Sequence, residues 1–483
     1  MSTVGRNTIY NLAGLGIPLV LFVATIPAYI ALIGPARYGV LAIVWLVLGL
    51  FGMTDLGLGR AATQKIAALR DGRPEERRAA LGSALAANLA IGAVGAVIML
   101  VAAGYLFSRS LNLEPWLRAE ALPLIPLMAA GVPLITTLGI LSGALQGRER
   151  FFLTNRITIV NSALFQLAPL AVAVILGPTL WPLVVSALCA RLVAVLLLWR
   201  ECKKEFGPHP LKDARRQEMT AMLRYGGWIT GAGLFGTVLV FSDRLLIGSL
   251  IGAVAVTIYA VPLDGTRRLA VIADSLANAL FPRLAVSDAD QSRAMLSSAG
   301  AILYAVVTPI AAVFIVVADP LFRLWLGDSI GGKSAPLAQI LVIAGWVNVF
   351  AKSPYAMLQA QGRPQLIVIL QLVQMPFYLL GLWWALRAYG LTGAAWVYLA
   401  RNAIDTILIN LAARGSIERG LLLAGTLASM IALVACLQVL PAYGALWSVL
   451  LAFPTGLLCV GLSWLVVRSQ PFLGRLNPLP RRK

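Results

Sequence analysis

Residues 226–252 read GGWITGAGLFGTVLVFSDRLLIGSLIG, an apolar run long enough to cross a bilayer that carries two adjacent charges, Asp243 and Arg244. Ionisable groups at membrane depth are costly and face a protein interior or a water-filled cavity. More of them stand inside other apolar runs: Arg191, Arg267, Arg268, Lys352 and Arg401 among the bases, and Asp55, Asp264, Asp274 and Asp405 among the acids. The 483 residues are 59% hydrophobic and only 12% charged, with a mean hydropathy of +0.85. A soluble domain carries about 25% charged residues, so the composition predicts an all-α polytopic membrane protein.

Fourteen runs are candidates for transmembrane helices: 8–33, 38–60, 80–107, 121–145, 156–177, 180–200, 224–250, 252–281, 296–318, 336–359, 365–388, 391–413, 419–440 and 444–467. Gly34-Pro35, Gly177-Pro178 and Pro441 before Gly444 punctuate tight joints between them. With the N-terminus inside, 27 of the 39 Lys and Arg fall in cytoplasmic segments, six on the other face and six within spans. That bias predicts both termini in the cytoplasm. It also accounts for the net charge of +19 without a nucleic-acid partner. The first apolar run, from Asn7 past Ile30, is too long for the core of a cleavable signal peptide.

The longest charged linker, with Pro208 and Pro210, separates six spans from eight. The predicted organisation is an N-lobe at 1–200 (spans 1–6), a cytoplasmic linker at 201–223 and a C-lobe at 224–414 (spans 7–12). Spans 13–14 at 415–467 and a basic cytoplasmic tail at 468–483 follow. An internal repeat joins the two lobes. Gln146-Gly147-Arg148 returns as Gln361-Gly362-Arg363, Ala190-Arg191 as Ala400-Arg401, and Arg6 as Arg224, at offsets of 215, 210 and 218. Six-span halves share one orientation, so their axis would lie along the membrane normal. The four cysteines and the single His209 have no metal-ligand or disulfide spacing, and neither metal nor cofactor is expected. Gly57 to Ala62 mimics a dinucleotide fingerprint but follows a membrane helix rather than a strand, and no Walker A sequence is present.

Several stretches carry a resemblance: Gly34-Pro-Ala-Arg-Tyr-Gly39, Asp55-Leu-Gly-Leu-Gly-Arg60, Ser242-Asp-Arg-Leu-Leu-Ile-Gly248, Ile258-Tyr-Ala-Val-Pro262, and Asn278 to Pro282. Together they make the chain resemble the oligosaccharide (O-antigen type) flippases of the multidrug/oligosaccharidyl-lipid/polysaccharide exporter superfamily. The resemblance implies two six-helix bundles in a V around a central cavity, with two extra C-terminal helices. It implies a bacterial inner-membrane protein, not an enzyme, that moves undecaprenyl-diphosphate-linked oligosaccharide to the outer leaflet by alternating access. It also implies a role in cell-surface polysaccharide synthesis beside polysaccharide polymerase machinery.

A diphosphate crossing hydrocarbon needs fixed cations, and arginine presents a planar fork of donors to phosphate. The diphosphate candidates are therefore Arg191, Arg244, Arg267, Arg268, Arg401 and Lys352. Arg191 has no acid within four positions on its helix, whereas Asp264 can pair locally with Arg267 or Arg268, and Asp405 with Arg401. Lys352 can instead snorkel to the interface. Asp243 and Arg244 do not face each other, so the reading stays open between interhelical ion pairing and substrate contact. Asp55, Arg60, Asp243 and Asp264 are candidates for gating or for coupling to a proton or sodium ion. Tyr29, Tyr259, Tyr355, Trp383, Trp384, Trp396 and Tyr398 are either sugar-stacking residues or interfacial and packing aromatics. Two readings compete. A drug or cation antiporter of the same superfamily would need an acid-dominated cavity. A membrane glycosyltransferase or ligase would need more than the outer loop at 319–335 supplies.

Overall fold

The computed structural model describes residues 3–53, 58–69, 73–220, 222, 241–284, 287–413, 425–435 and 454. Among the described residues the fold is helical, without strands. In chain order the helices are α1 (Thr3–Met53), α2 (Leu58–Ala68), α3 (Pro74–Tyr105), α4 (Pro115–Ala121), α5 (Leu124–Gly147), α6 (Phe151–Leu176) and α7 (Leu180–Phe206). Then come α8 (241–250), α9 (Ala253–Arg267), α10 (Ala270–Leu284), α11 (Ala289–Ala360), α12 (Pro364–Ala412) and α13 (Gly425–Ala435). Among the described residues, seven helical stretches are long and apolar enough to cross a membrane. Large apolar side chains such as Ile175 and Phe377 point outward along them, the arrangement expected of a chain solvated by lipid.

Three of the helices are too long to be single spans, because a bilayer's hydrocarbon takes only about 20 residues of helix. Each is broken by a glycine with non-helical dihedrals: Gly34 (φ 80°) in α1, Gly327 (φ 76°) in α11 and Gly390 (φ 60°) in α12. A side chain would be strained at such φ values, so the turn falls where the Cβ is missing. Two sequence expectations change here. The loop at 319–335 is helical on both sides of Gly327, because Arg323 pairs with Asp319 (3.0 Å) and Asp328 (3.3 Å) and keeps the chain ordered through a charged stretch. The run 252–281 is not one helix. It breaks after Arg267, where Arg268 N–H donates to Gly265 O and Leu269 N–H to Thr266 O, tight turns that close α9.

The chain clusters into two compact units, Met1–Thr257 and Ile258–Lys483. In the first, α5 packs on α2, α3 and α7, and α6 packs on α7 and α1. One end of this unit is a core of Leu58, Ile66, Leu81, Ile140, Leu198 and Phe206. The segment after α7 is strapped onto that end. Gly207 and His209 take positive φ, Pro210–Asp213 form a 3-10 turn, and the turn lies on α3. Arg78 pairs with Asp213, and Arg215 N–H donates to Ser83 Oγ (2.8 Å). Gly82 permits the approach, since a Cβ there would sit 1.9 Å from Pro210 O. Glu205, near the end of α7, accepts from Arg148 (3.0 Å) and Arg150 (2.9 Å). In the second unit α11 packs on α10 and α12 around Leu284, Met357, Leu358, Ile367 and Ile409.

The internal repeat has a backbone counterpart. Gly34 and Gly252, 218 positions apart, both take positive φ. So do Glu149 and Gly362, 213 apart, and Gly177 and Gly390, again 213 apart. Helix starts follow the same offset, Phe151 opening α6 and Pro364 opening α12.

Candidate functional site

Arg191 lies midway along α7, half-buried, with its guanidinium carbon 4.3 Å from the centre of the Phe165 ring on α6. Phe165 in turn packs at a tilt against Trp45 of α1, ring centres 4.8 Å apart. Among the described residues Arg191 has neither a carboxylate partner nor a hydrogen-bond acceptor, and its Nε is buried. One turn before Phe165, Asn161 Oδ1 is buried without a donor among the described residues. Gln166 ties the same helix to α1: its amide donates to Thr25 Oγ1 (2.8 Å), and its backbone carbonyl accepts from Tyr29 O–H (2.7 Å). Tyr29 is therefore a packing and hydrogen-bonding residue here. The site that results is a desolvated cation, oriented by an aromatic face, with its N–H edge uncommitted.

In the second unit Arg401 on α12 sits over Tyr378 at 5.2 Å. Sequence spacing allows Arg401 to pair with Asp405, but no ion pair joins them among the described residues. The buried Asp405 carboxylate accepts instead from Tyr355 O–H (2.9 Å) and Gln374 Nε2 (3.2 Å), and Gln371 Nε2 donates to the Tyr355 hydroxyl (3.3 Å). The reason is geometric: Asp405 points to α11 and the first half of α12, whose Tyr355, Gln371 and Gln374 converge on it. Next to it Asn402, Thr406 and Asn410 form a polar stripe at four-residue spacing. Asn348 Nδ2 donates to Asn402 Oδ1 (3.0 Å), Thr406 Oγ1 to Val347 O and Asn410 Nδ2 to Phe350 O. Those bonds satisfy the polar groups inside the apolar unit.

The other candidates are dispersed. Asp243 and Arg244 on α8 are 0% and 5% exposed. Asp264, Arg267 and Arg268 are half-buried around the α9–α10 break rather than in the middle of a helix. Lys352 pairs with Asp274 at 3.1 Å. Asp55 lies outside the described residues; Arg60 is in the first turn of α2, its side chain likewise outside them. Tyr259 and Tyr398 are buried, and Trp396 is half-buried. Trp383 and Trp384 are exposed, and Arg387 stacks on Trp383 (4.2 Å). No cluster of three or more metal-ligating side chains occurs among the described residues. Phe165, Asn161, Gln374 and Tyr378 were not singled out from sequence. The signal was present: Asn161 to Gln374 and Phe165 to Tyr378 are both 213 positions apart, the offset of the repeat.

Residues 4–288 match the family described as "Polysaccharide biosynthesis protein". A protein of Shigella flexneri named "Putative O-antigen transporter" is 24% identical over 408 residues, covering 84% of this chain and 96% of that protein. Two solved structures share the fold. One is lipid II flippase MurJ in an inward closed conformation, with a TM-score of 0.71 and 11% identity over 97% of this chain and 99% of that one. The other is an inward-facing multidrug resistance MATE family transporter of the MOP superfamily, with a TM-score of 0.69 and 17% identity over 86% and 98%. The family match spans more than half of the chain, so this multi-pass membrane protein belongs to the polysaccharide biosynthesis protein family and has the fold of the MOP superfamily.

Proposed function

We propose that the protein is a flippase carrying undecaprenyl-diphosphate-linked oligosaccharide from the cytoplasmic to the outer leaflet of a bacterial inner membrane by alternating access, for cell-surface polysaccharide synthesis. In this reading the chain crosses the membrane fourteen times with both termini in the cytoplasm. Six-span lobes precede and follow the 201–223 linker, and the product passes to polymerase machinery on the far side. The protein is a transporter rather than an enzyme, and its energy comes from a proton, a sodium ion or the membrane potential. The family match and the O-antigen transporter relative support the substrate class.

Arg191 is the observation in this chain that supports it best. A cation in an apolar span without an acidic partner among the described residues costs stability, and that cost is offset when an anion arrives. A diphosphate leaving water needs such a partner. Binding of a short-chain polyprenyl-diphosphate sugar to the purified protein in nanodiscs tests the reading. Saturable binding, weakened at least tenfold by Arg191→Ala, is expected. Asp405, a buried carboxylate, favours a second reading, a cation antiporter of the same fold. Saturable binding of organic cations, with none of the glycolipid, would select it instead.

A further inference from the structure

We propose that Arg401 is the repeat-related counterpart of Arg191, and that each half of the chain holds one phosphoryl-binding site made of an arginine laid on an aromatic ring beside an amide side chain. The inference rests on the flippase reading and adds a second site and its composition.

Two lines of observation meet. The first is the match between halves. Asn161 and Phe165 on α6 correspond to Gln374 and Tyr378 on α12 at an offset of 213, and Arg191 corresponds to Arg401 at 210. The helix starts Phe151 and Pro364 and the positive-φ residues on either side of Asn161–Phe165 and Gln374–Tyr378 (Glu149 and Gly362, Gly177 and Gly390) keep the offset of 213, and the two arginines, just beyond Gly177 and Gly390, stand three positions from it. The second is the geometry. Arg191 stands 4.3 Å over Phe165 and Arg401 stands 5.2 Å over Tyr378. In both, Nε is a buried atom without a hydrogen-bond acceptor among the described residues. An aromatic face attracts a guanidinium but accepts none of its in-plane N–H bonds. The ring thus fixes the plane of the fork, whose Nε–H is left without an acceptor among the described residues. Two oxygens of a tetrahedral, negatively charged phosphoryl group can accept from such a fork.

The halves differ in one respect that sets their order of affinity. Asp405 lies one turn beyond Arg401, whereas the equivalent place after Arg191 is Val195. Tyr355 and Gln374 hold the Asp405 carboxylate, and Gln374 is thereby committed to it, while no carboxylate partner stands beside Arg191 among the described residues. The Arg191 site is therefore the tighter one, and the Arg401 site, with a carboxylate nearby, is the one that releases.

Calorimetric titration of the full-length protein in nanodiscs with geranyl diphosphate, a water-soluble polyprenyl diphosphate, tests this. Two equivalents should bind wild type, the tighter lost in Arg191→Gln, the weaker lost in Arg401→Gln, and both lost in the double variant. Tyr378→Leu, which keeps the charge and removes the π face, should weaken the second equivalent several-fold, guarding against a variant that merely misfolds. A single equivalent in wild type that survives Arg401→Gln and Tyr378→Leu unchanged would overturn the second site and leave the flippase reading standing. Absence of binding, together with normal glycolipid transport by Arg191→Gln, would remove both.

Discussion

Arg191 and Asp405 show what single residues decide. A charge-assisted hydrogen bond is worth about 1.5–3 kcal/mol, so Arg191→Ala should cut glycolipid transport by roughly 10- to 150-fold at unchanged membrane level, and Arg191→Lys by less. Transport in vesicles, normalised to protein by immunoblot, checks this. At Asp405 the prediction concerns stability. Removing the carboxylate orphans the Tyr355 hydroxyl and the Gln374 amide inside an apolar unit. Each buried unsatisfied group costs about 1–3 kcal/mol, so Asp405→Ala should lower the midpoint of thermal unfolding in detergent, and Asp405→Asn, which keeps an acceptor, should lower it less. The charges themselves were legible in sequence because ionisable residues stand out in apolar runs. Their partners were not. Arg191 meets Phe165 across a helix interface, and Asp405 bypasses Arg401 on its own helix for Tyr355 on another, and local spacing carries no information about either.

Among the elements, the close approaches are where a single Cβ matters. A Cβ at Gly39 would lie 1.9 Å from Ala253 O, and Thr257 Oγ1 donates to Pro35 O at 2.6 Å beside it, so within the first unit the start of α9, Ala253 to Thr257, meets the second half of α1 at close range. Gly39→Val should separate the two helices and destabilise the protein by about 1–3 kcal/mol, as overpacking of well-packed sites does, read as a lower unfolding midpoint. Gly82→Leu should lift the 210–213 turn from α3 and expose it, which limited proteolysis would report as faster cleavage after Lys212. Two joints were legible: Gly34-Pro35 and Gly177-Pro178 mark places where the structure has positive φ. Two were not. Asp319, Arg323 and Asp328 read as a polar loop but form ion pairs that keep the helices going to Gly327, and the apolar run through 268–269 hides the turn that ends α9.

Across the whole molecule, charge patterning and the repeat are the signals that the sequence offers. The 27-to-6 distribution of Lys and Arg predicts the orientation, and it is testable with a phosphatase reporter active only outside the cytoplasm. Fusions after Leu113 should be active and fusions after Lys212 inactive; the reverse would invert the topology. The repeat was visible as three sequence landmarks, but its structural counterpart emerged only with the positive-φ residues and the two arginine–aromatic contacts, which share nearly the same offsets. Glycan selectivity was not legible, since it depends on the shape of a surface rather than on any residue spacing. The central claim is that an anionic glycolipid crosses on fixed arginines. The most direct measurement is the rate at which a fluorescent polyprenyl-diphosphate disaccharide changes leaflet in proteoliposomes, wild type against Arg191→Ala. The account predicts protein-dependent movement that falls at least tenfold in the variant. Equal rates in the two proteins, or a wild-type rate no faster than empty liposomes with every coupling ion supplied, would contradict it.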